Sequence, residues 1–202
     1  MKLNKEDLLL YGVTDSKYLN GRKMSELVEE AILGGVTMIQ LREKEMSHEE
    51  FKKEALDVQK VCQKYHVPLI INDDVELCKE INADGVHIGQ DDLNLKEARI
   101  ILGEDKIIGV SAHNYEEAKI ALENGADYLG VGAIFTTQTK DDAQNISMKT
   151  LNDICQKIDL PVVAIGGINQ VNILEFMGVA MMVLLSFQVS LEVMIFKKQV
   201  EC

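Results

Sequence analysis

Two carboxylate pairs, Asp73-Asp74 and Asp91-Asp92, close two apolar runs that follow one another along the chain. Carboxylates at neighbouring strand ends can converge on one hard cation. Magnesium takes one or two of them and completes its shell with water and phosphate oxygens. The same residues also suit a helix cap ahead of 75–81 and a turn at 91–92, and for either pair alone both readings stand. Their recurrence at successive strand ends favours the metal, with Asp73 and Asp92 as its ligands. A cationic counterpart lies in Gln40-Leu41-Arg42-Glu43-Lys44. Period two puts Gln40, Arg42 and Lys44 on one side, where a forked guanidinium and a mobile ammonium suit a diphosphate. The competing reading pairs Arg42 or Lys44 with Glu43 or Glu45 at the surface; Gln40 speaks against it, since an amide on that buried side needs a partner. Thr137, Thr139 and Lys140 lie in a polar loop that suits an anion clamp or a lid, and equally an ordinary solvated loop. Gly166-Gly167 would let backbone N–H groups approach a phosphate. Of the four histidines, only His113, beside Ser111 at a strand end, is placed to act as an acid or base. The chain has no Ser-His-Asp order, P-loop or dinucleotide fingerprint.

The elements that must hold these groups alternate between two periods. Continuous apolar runs at 8–14, 37–41, 68–71, 85–89, 106–110, 128–134 and 161–165 read as parallel strands buried on both faces. Helical stretches fall at 24–33, 75–81, 95–102, 115–123, 148–157 and 169–176, and one more opens at the capping box Ser47-His48-Glu49-Glu50. Seven strand-then-helix units and a probable eighth can make an open sheet or a closed barrel, and the number favours closure. The fold expected is α/β, a single-domain (β/α)8 TIM barrel over 1–202, with chemistry in the loops after each strand. Asn82-Ala83-Asp84-Gly85 and Asn124-Gly125-Ala126-Asp127-Tyr128 repeat at strand entries, which supports one barrel over two domains.

At 202 residues the chain is slightly short for that fold. Its net charge of −12 argues against a nucleic-acid or anionic-membrane partner. An anionic small substrate remains compatible, because Arg42, Lys44 and Lys140 set the field inside a cleft. Four scattered cysteines without C-x-x-C spacing suit free thiols in a reducing cytoplasm. The charged N-terminus lacks the apolar core of a signal peptide, and the apolar stretch at 179–191 is too short to span a bilayer. A soluble, cytoplasmic protein is expected.

Taken in order, these clusters resemble the thiamine phosphate synthase (thiamine-phosphate pyrophosphorylase) family. The resemblance runs through Tyr11-Gly12-Val13-Thr14-Asp15, the Gln40–Lys44 cluster, Ile71-Asn72-Asp73 and Gly85-Val86-His87-Ile88-Gly89-Gln90-Asp91-Asp92. It continues in Gly109-Val110-Ser111, Gly130-Val131-Gly132, Thr137-Gln138-Thr139-Lys140 and Ile165-Gly166-Gly167-Ile168, and covers about the first 175 residues. It implies a transferase that joins an aminopyrimidine methyl diphosphate to a thiazole phosphate and releases pyrophosphate. By the same resemblance, Gln40, Leu41, Arg42, Glu43, Lys44, Asn72, Ser111 and Lys140 bind the pyrimidine diphosphate, and Lys44, Ser111 and Lys140 are catalytic. Asp73 and Asp92 bind Mg2+, while Thr137, Gln138, Thr139 and the Gly167 backbone belong to the thiazole phosphate site. Homo-oligomers are frequent in the family. A thiazole tautomerase-like barrel and a non-catalytic phosphate-ligand binding protein are the competing functions; the metal and diphosphate set weighs against the first.

The tail departs from the family from about residue 178. An eighth strand reading roughly Asp-Gly-Val-Ala-Val-Val-Ser is expected where Met181-Met182-Val183-Leu184-Leu185-Ser186 stands. Joining each codon's third base to the next codon's first two permits the expected reading, which points to a one-nucleotide frameshift near 178–181. With the present tail, the barrel is expected to close poorly.

Overall fold

The computed structural model describes residues 3–135, 145–169 and 171–176, together with the backbone of 183–188. Eight parallel strands close into a barrel in sequence order: β1 (Leu10–Val13), β2 (Met38–Leu41), β3 (Leu69–Asn72), β4 (Gly85–Ile88), β5 (Ile107–Ala112), β6 (Tyr128–Gly132), β7 (Val162–Ile165) and β8 (Val183–Gln188). Between them run α1 (Met24–Leu33), α2 (His48–Tyr65), α3 (Val75–Glu80), α4 (Leu95–Leu102), α5 (Tyr115–Glu123) and α6 (Met148–Lys157). The expectation of poor closure is corrected: β8 pairs with β7 and with β1, so the apolar run in the tail supplies a strand body. Strand pairing needs backbone groups and β-compatible side chains more than a particular sequence.

Period two divides each strand between two cores. Ile39, Leu41, Ile71, Val86, Ile88, Ile108, Val110, Leu129 and Val131 face outward and pack under the helices. Tyr11, Met38, Ile70, Ile107, Tyr128 and Val163 point inward and fill the barrel. Helix α2 follows its capping box, with Ser47 Oγ accepting from Glu50 N, and buries the stripe Phe51, Ala55, Val58 and Cys62.

Several boundaries differ from expectation by one or two residues, and three differences bear on the core or the site. Strand β1 begins only at Leu10, because Lys5–Leu8 forms a 3-10 helix that tucks Leu8 into the barrel floor. The expected helix at 169–176 is reduced to a 3-10 turn at Ile173–Phe176 among the described residues. Strand β5 runs two residues further than its apolar body, so Ser111 lies inside a strand rather than after one.

A recurring joint explains the repeat at strand entries. Asp84 Oδ2 accepts from Leu69 N at 2.9 Å, and Asp127 Oδ2 accepts from Ile108 N at 2.7 Å. Thr37 does the same for β1, its Oγ1 accepting from Leu10 N at 2.8 Å. In each case the residue that enters one strand satisfies the first free N–H of its neighbour, a donor that would otherwise stay unpaired.

Candidate active site

The C-terminal ends of the strands bring most of the expected residues to one mouth. Asp73 and Asp74 take opposite roles. Asp74 Oδ1 caps α3 by accepting from Leu77 N at 2.8 Å. Asp73 adopts φ 63°, a left-handed backbone rare for a non-glycine residue, and its N–H donates to His87 O at 2.8 Å. That turn brings its carboxyl against Asp92. Partial desolvation by surrounding protein, then the hydrogen bond and charge of Asp92, push the Asp73 pKa up to about 6; Asn72 and Arg42 pull the other way. Asp73 is nonetheless exposed. Asp92 serves the turn as well, Oδ2 accepting from Gly89 N at 2.6 Å, while Asn94 caps α4. The cap and turn readings are realised at Asp74 and Asp92, while Asp73 stands against Asp92. Among the described residues no group of three or more His, Cys, Asp or Glu assembles for a metal. Two carboxylates that share a hydrogen bond nevertheless fit magnesium, which needs no more from a protein.

Gln40 is 4% exposed and points inward, its Nε2 donating to Tyr11 Oη at 2.9 Å. The partner demanded of a buried amide is thus a phenol on the neighbouring strand. Leu41 faces the opposite way and is buried beneath the helices, so it can offer a ligand only its main chain. Arg42 is half-buried and Lys44 exposed; the Arg42 charge acts on the neighbouring Glu43 carboxyl, but no ion pair within 4.0 Å joins either cation to Glu43 or Glu45 among the described residues. Thr14, 1% exposed, holds the Arg42 backbone: its Oγ1 accepts from Arg42 N at 2.9 Å. The Glu43 carboxyl turns to Ser16 and Glu54. Desolvation first, then the charge of the neighbouring Glu43, push the Glu54 pKa up to about 7, and desolvation raises Glu43 as well.

Asn72 ends β3, half-buried beside Asp73. Ser111 points into the barrel, its Oγ 3.0 Å from His87 Nε2, and its carbonyl accepts from Gln90 Nε2 at 2.5 Å. His113 is not placed as a free acid or base, since its Nδ1 lies 2.8 Å from Glu117 Oε2 in the first turn of α5. Gly166 and Gly167 both take positive φ (97° and 63°), a turn that β-carbons disfavour. Thr137, Gln138, Thr139 and Lys140 lie outside the described residues. The flanks of their segment are fixed: Phe135 N donates to Gly166 O at 3.1 Å and Ile146 N to Ala133 O at 2.7 Å.

Three residues at the site were missed by the sequence reading: Tyr11, His87 and Tyr128. Tyr128 Oη lies 2.7 Å from Tyr11 Oη and 3.0 Å from His87 Nδ1, continuing the line from Gln40 to Ser111. The available signal was parity. All three stand at inward positions, and Gly109 and Gly130 on adjoining strands leave room for their rings.

Comparison with known proteins identifies the family. The sequence model of the family described as thiamine monophosphate synthase matches residues 10–186. A thiamine-phosphate synthase of Clostridium acetobutylicum is 56% identical over 166 residues, 82% of this chain and 79% of that protein. One of Clostridium botulinum is 51% identical over 176 residues, covering 87% and 83%. A solved thiamine phosphate pyrophosphorylase of Pyrococcus furiosus superposes with TM-score 0.87 at 32% identity, over 98% of this chain and 97% of that one. The chain belongs to the thiamine monophosphate synthase family.

Proposed function

We propose that the barrel mouth condenses an aminopyrimidine methyl diphosphate with a thiazole phosphate, giving thiamine phosphate and pyrophosphate. The observation that carries this reading is the Asp73–Asp92 pair, hydrogen-bonded after β3 and β4, between the strands β2 and β5 that carry Gln40 and Ser111. Asp73 and Asp92 would hold Mg2+, which when bound neutralises charge on departing pyrophosphate. Arg42 would grip the diphosphate by forked hydrogen bonds, with Lys44 and Lys140 as point charges and Asn72 beside them. Gln40 and Ser111 would orient the pyrimidine ring, with the Leu41 and Glu43 main chain along its edge. Thr137, Gln138, Thr139 and the Gly167 backbone would take the thiazole phosphate.

Chemistry of this kind asks for no protein nucleophile. The C–O bond to pyrophosphate breaks, the electron-rich pyrimidine bears the cationic carbon, and the thiazole nitrogen then bonds to it. Catalysis is positioning and electrostatics. The thiols among the described residues fit that absence: burial pushes Cys62 and Cys78 up to about 12 and Cys155 to about 11, so none of the three offers a ready thiolate.

The test is pyrophosphate release by the full chain given each substrate alone and both together, with and without magnesium. Release that requires both substrates and the metal is expected. Binding of the pyrimidine diphosphate without release would instead favour the non-catalytic binding protein. We also infer the one-nucleotide frameshift near 178–181. Resequencing the locus checks it, and an in-frame read of the present tail would overturn it.

A further inference from the structure

Inside the barrel, five side chains from five strands form one unbroken line. Gln40 Nε2 meets Tyr11 Oη at 2.9 Å, Tyr11 Oη meets Tyr128 Oη at 2.7 Å, Tyr128 Oη meets His87 Nδ1 at 3.0 Å, and His87 Nε2 meets Ser111 Oγ at 3.0 Å. The family reading uses only its ends. The three middle residues are buried: Tyr128 is 0%, Tyr11 2% and His87 8% exposed.

We propose that Tyr11, Tyr128 and His87 are positioning residues, a polarised relay that fixes Gln40 as an acceptor and Ser111 as a donor toward the ring bound above them. The line thereby selects a 4-aminopyrimidine over its 4-oxo counterpart. This rests on the condensation reading for the identity of the ring, but not for the polarity of the relay.

The polarity follows from counting protons. With the Gln40 amide nitrogen facing Tyr11, Tyr11 Oη accepts from it, and Tyr128 Oη is the buried acceptor within reach of the Tyr11 proton. Tyr128 then donates to His87 Nδ1, which must be bare. A neutral imidazole with a bare Nδ1 carries its proton on Nε2 and gives it to Ser111 Oγ. The Ser111 hydroxyl proton is left to point outward, and Gln40 Oε1 is the amide's remaining acceptor. Burial raises both phenols well above their ordinary range, so each keeps the single proton this count assigns it.

The glycines show that the line is built into the fold. A β-carbon at Gly109 would overlap the Tyr128 ring, and one at Gly130 would stand 2.8 Å from His87 Cε1. The Tyr11 and Tyr128 rings meet edge to face, centroids 5.8 Å apart at 70°, and the His87 ring lies 5.5 Å from that of Tyr128. Packed this tightly, the hydroxyls have little freedom to reorient singly.

The ligand chemistry is then specific. A 4-aminopyrimidine offers an exocyclic N–H to Gln40 Oε1 and a bare ring nitrogen to the Ser111 hydroxyl. The 4-oxo ring reverses the pattern and sets acceptor against acceptor, and sites built on such hydrogen bonds discriminate strongly.

Two measurements on the full chain test this. Nitrogen-15 NMR of the histidine-labelled protein should show His87 protonated on Nε2 and bare on Nδ1, a preference that Tyr128→Phe weakens. Steady-state kinetics should show Tyr11→Phe and Tyr128→Phe raising KM for the amino substrate and narrowing its preference over the 4-oxo analogue by about tenfold or more. KM for the thiazole phosphate, which a general packing loss would also move, is the internal control. A proton on Nδ1 in the wild-type protein, or folded Tyr→Phe variants with unchanged discrimination, would overturn the relay. A wild-type sample that binds neither ring and releases no pyrophosphate would defeat the condensation reading, while its His87 tautomer would still decide the relay.

Discussion

The two ends of this barrel treat their polar groups in opposite ways. At the N-terminal end Arg99 and Lys106 are committed to the fold. Arg99 donates to the carbonyls of Gly103, Lys106 and Gly125 and pairs with Asp127 at 2.7 Å. Lys106 Nζ reaches Asn82 Oδ1 and the Ala83 carbonyl, both at 2.6 Å. At the C-terminal end Asp73 is held against Asp92 with its pKa up to about 6, and its backbone sits at φ 63°. Such like-charge crowding and backbone strain lower stability unless a ligand answers them. Among the described residues, the N-terminal end commits Arg99 and Lys106 to the fold, while the C-terminal end sets Asp73 against a like charge.

That contrast breaks most sharply at the metal pair. Asp92→Ala should lower magnesium-dependent pyrophosphate release by on the order of 100-fold or more, as losses of preorganised charge at such sites do. Kinetics across a magnesium titration check it. At the other end Asp127→Ala should leave turnover per folded molecule near wild type and cost about 2 kcal/mol of stability. It strips the Ile108 N–H of its acceptor and leaves the Arg99 guanidinium, 14% exposed, without its carboxylate. Urea unfolding beside an activity assay separates the two effects.

Glu54 sharpens the comparison through pH. Its folded pKa of about 7 lies above the ordinary 4.5, so the folded chain holds a proton that the unfolded chain has released across that window. Stability therefore falls as pH rises from about 4.5 to 7 and is flat above. The loss is about 1 kcal/mol once solvent screening of this half-exposed group is discounted. Glu54→Gln should flatten the profile, measured as thermal midpoints across pH. The smallest effect belongs to Thr37→Val, which removes the joint to Leu10 N and should cost about 0.5–1 kcal/mol with no change in KM.

Much of this was legible in the sequence, for identifiable reasons. The apolar runs 68–71 and 161–165 announce strands because parallel strands are buried on both faces, and Gln40 announces an inward partner because buried amides need one. Asp73, first after its strand, reads as the ligand of the pair, but the backbone turn that sets it against Asp92 while Asp74 caps α3 is not legible in the sequence. His87 read as a strand histidine, because its bonds to Tyr128 and Ser111 depend on register across β4, β5 and β6. Closure by Val183–Gln188 was misjudged, because the family sequence was weighed where backbone pairing suffices.

One variant tests the division between the two ends most directly. Asp73→Asn keeps the shape of the side chain and is well tolerated at positive φ, yet removes the charge that crowds Asp92. Thermal midpoint without metal and pyrophosphate release with magnesium would be read on the same preparation. The account predicts a midpoint equal to or above wild type together with release reduced by about 100-fold or more. A lowered midpoint with release intact would contradict it, and would make Asp73 a structural residue.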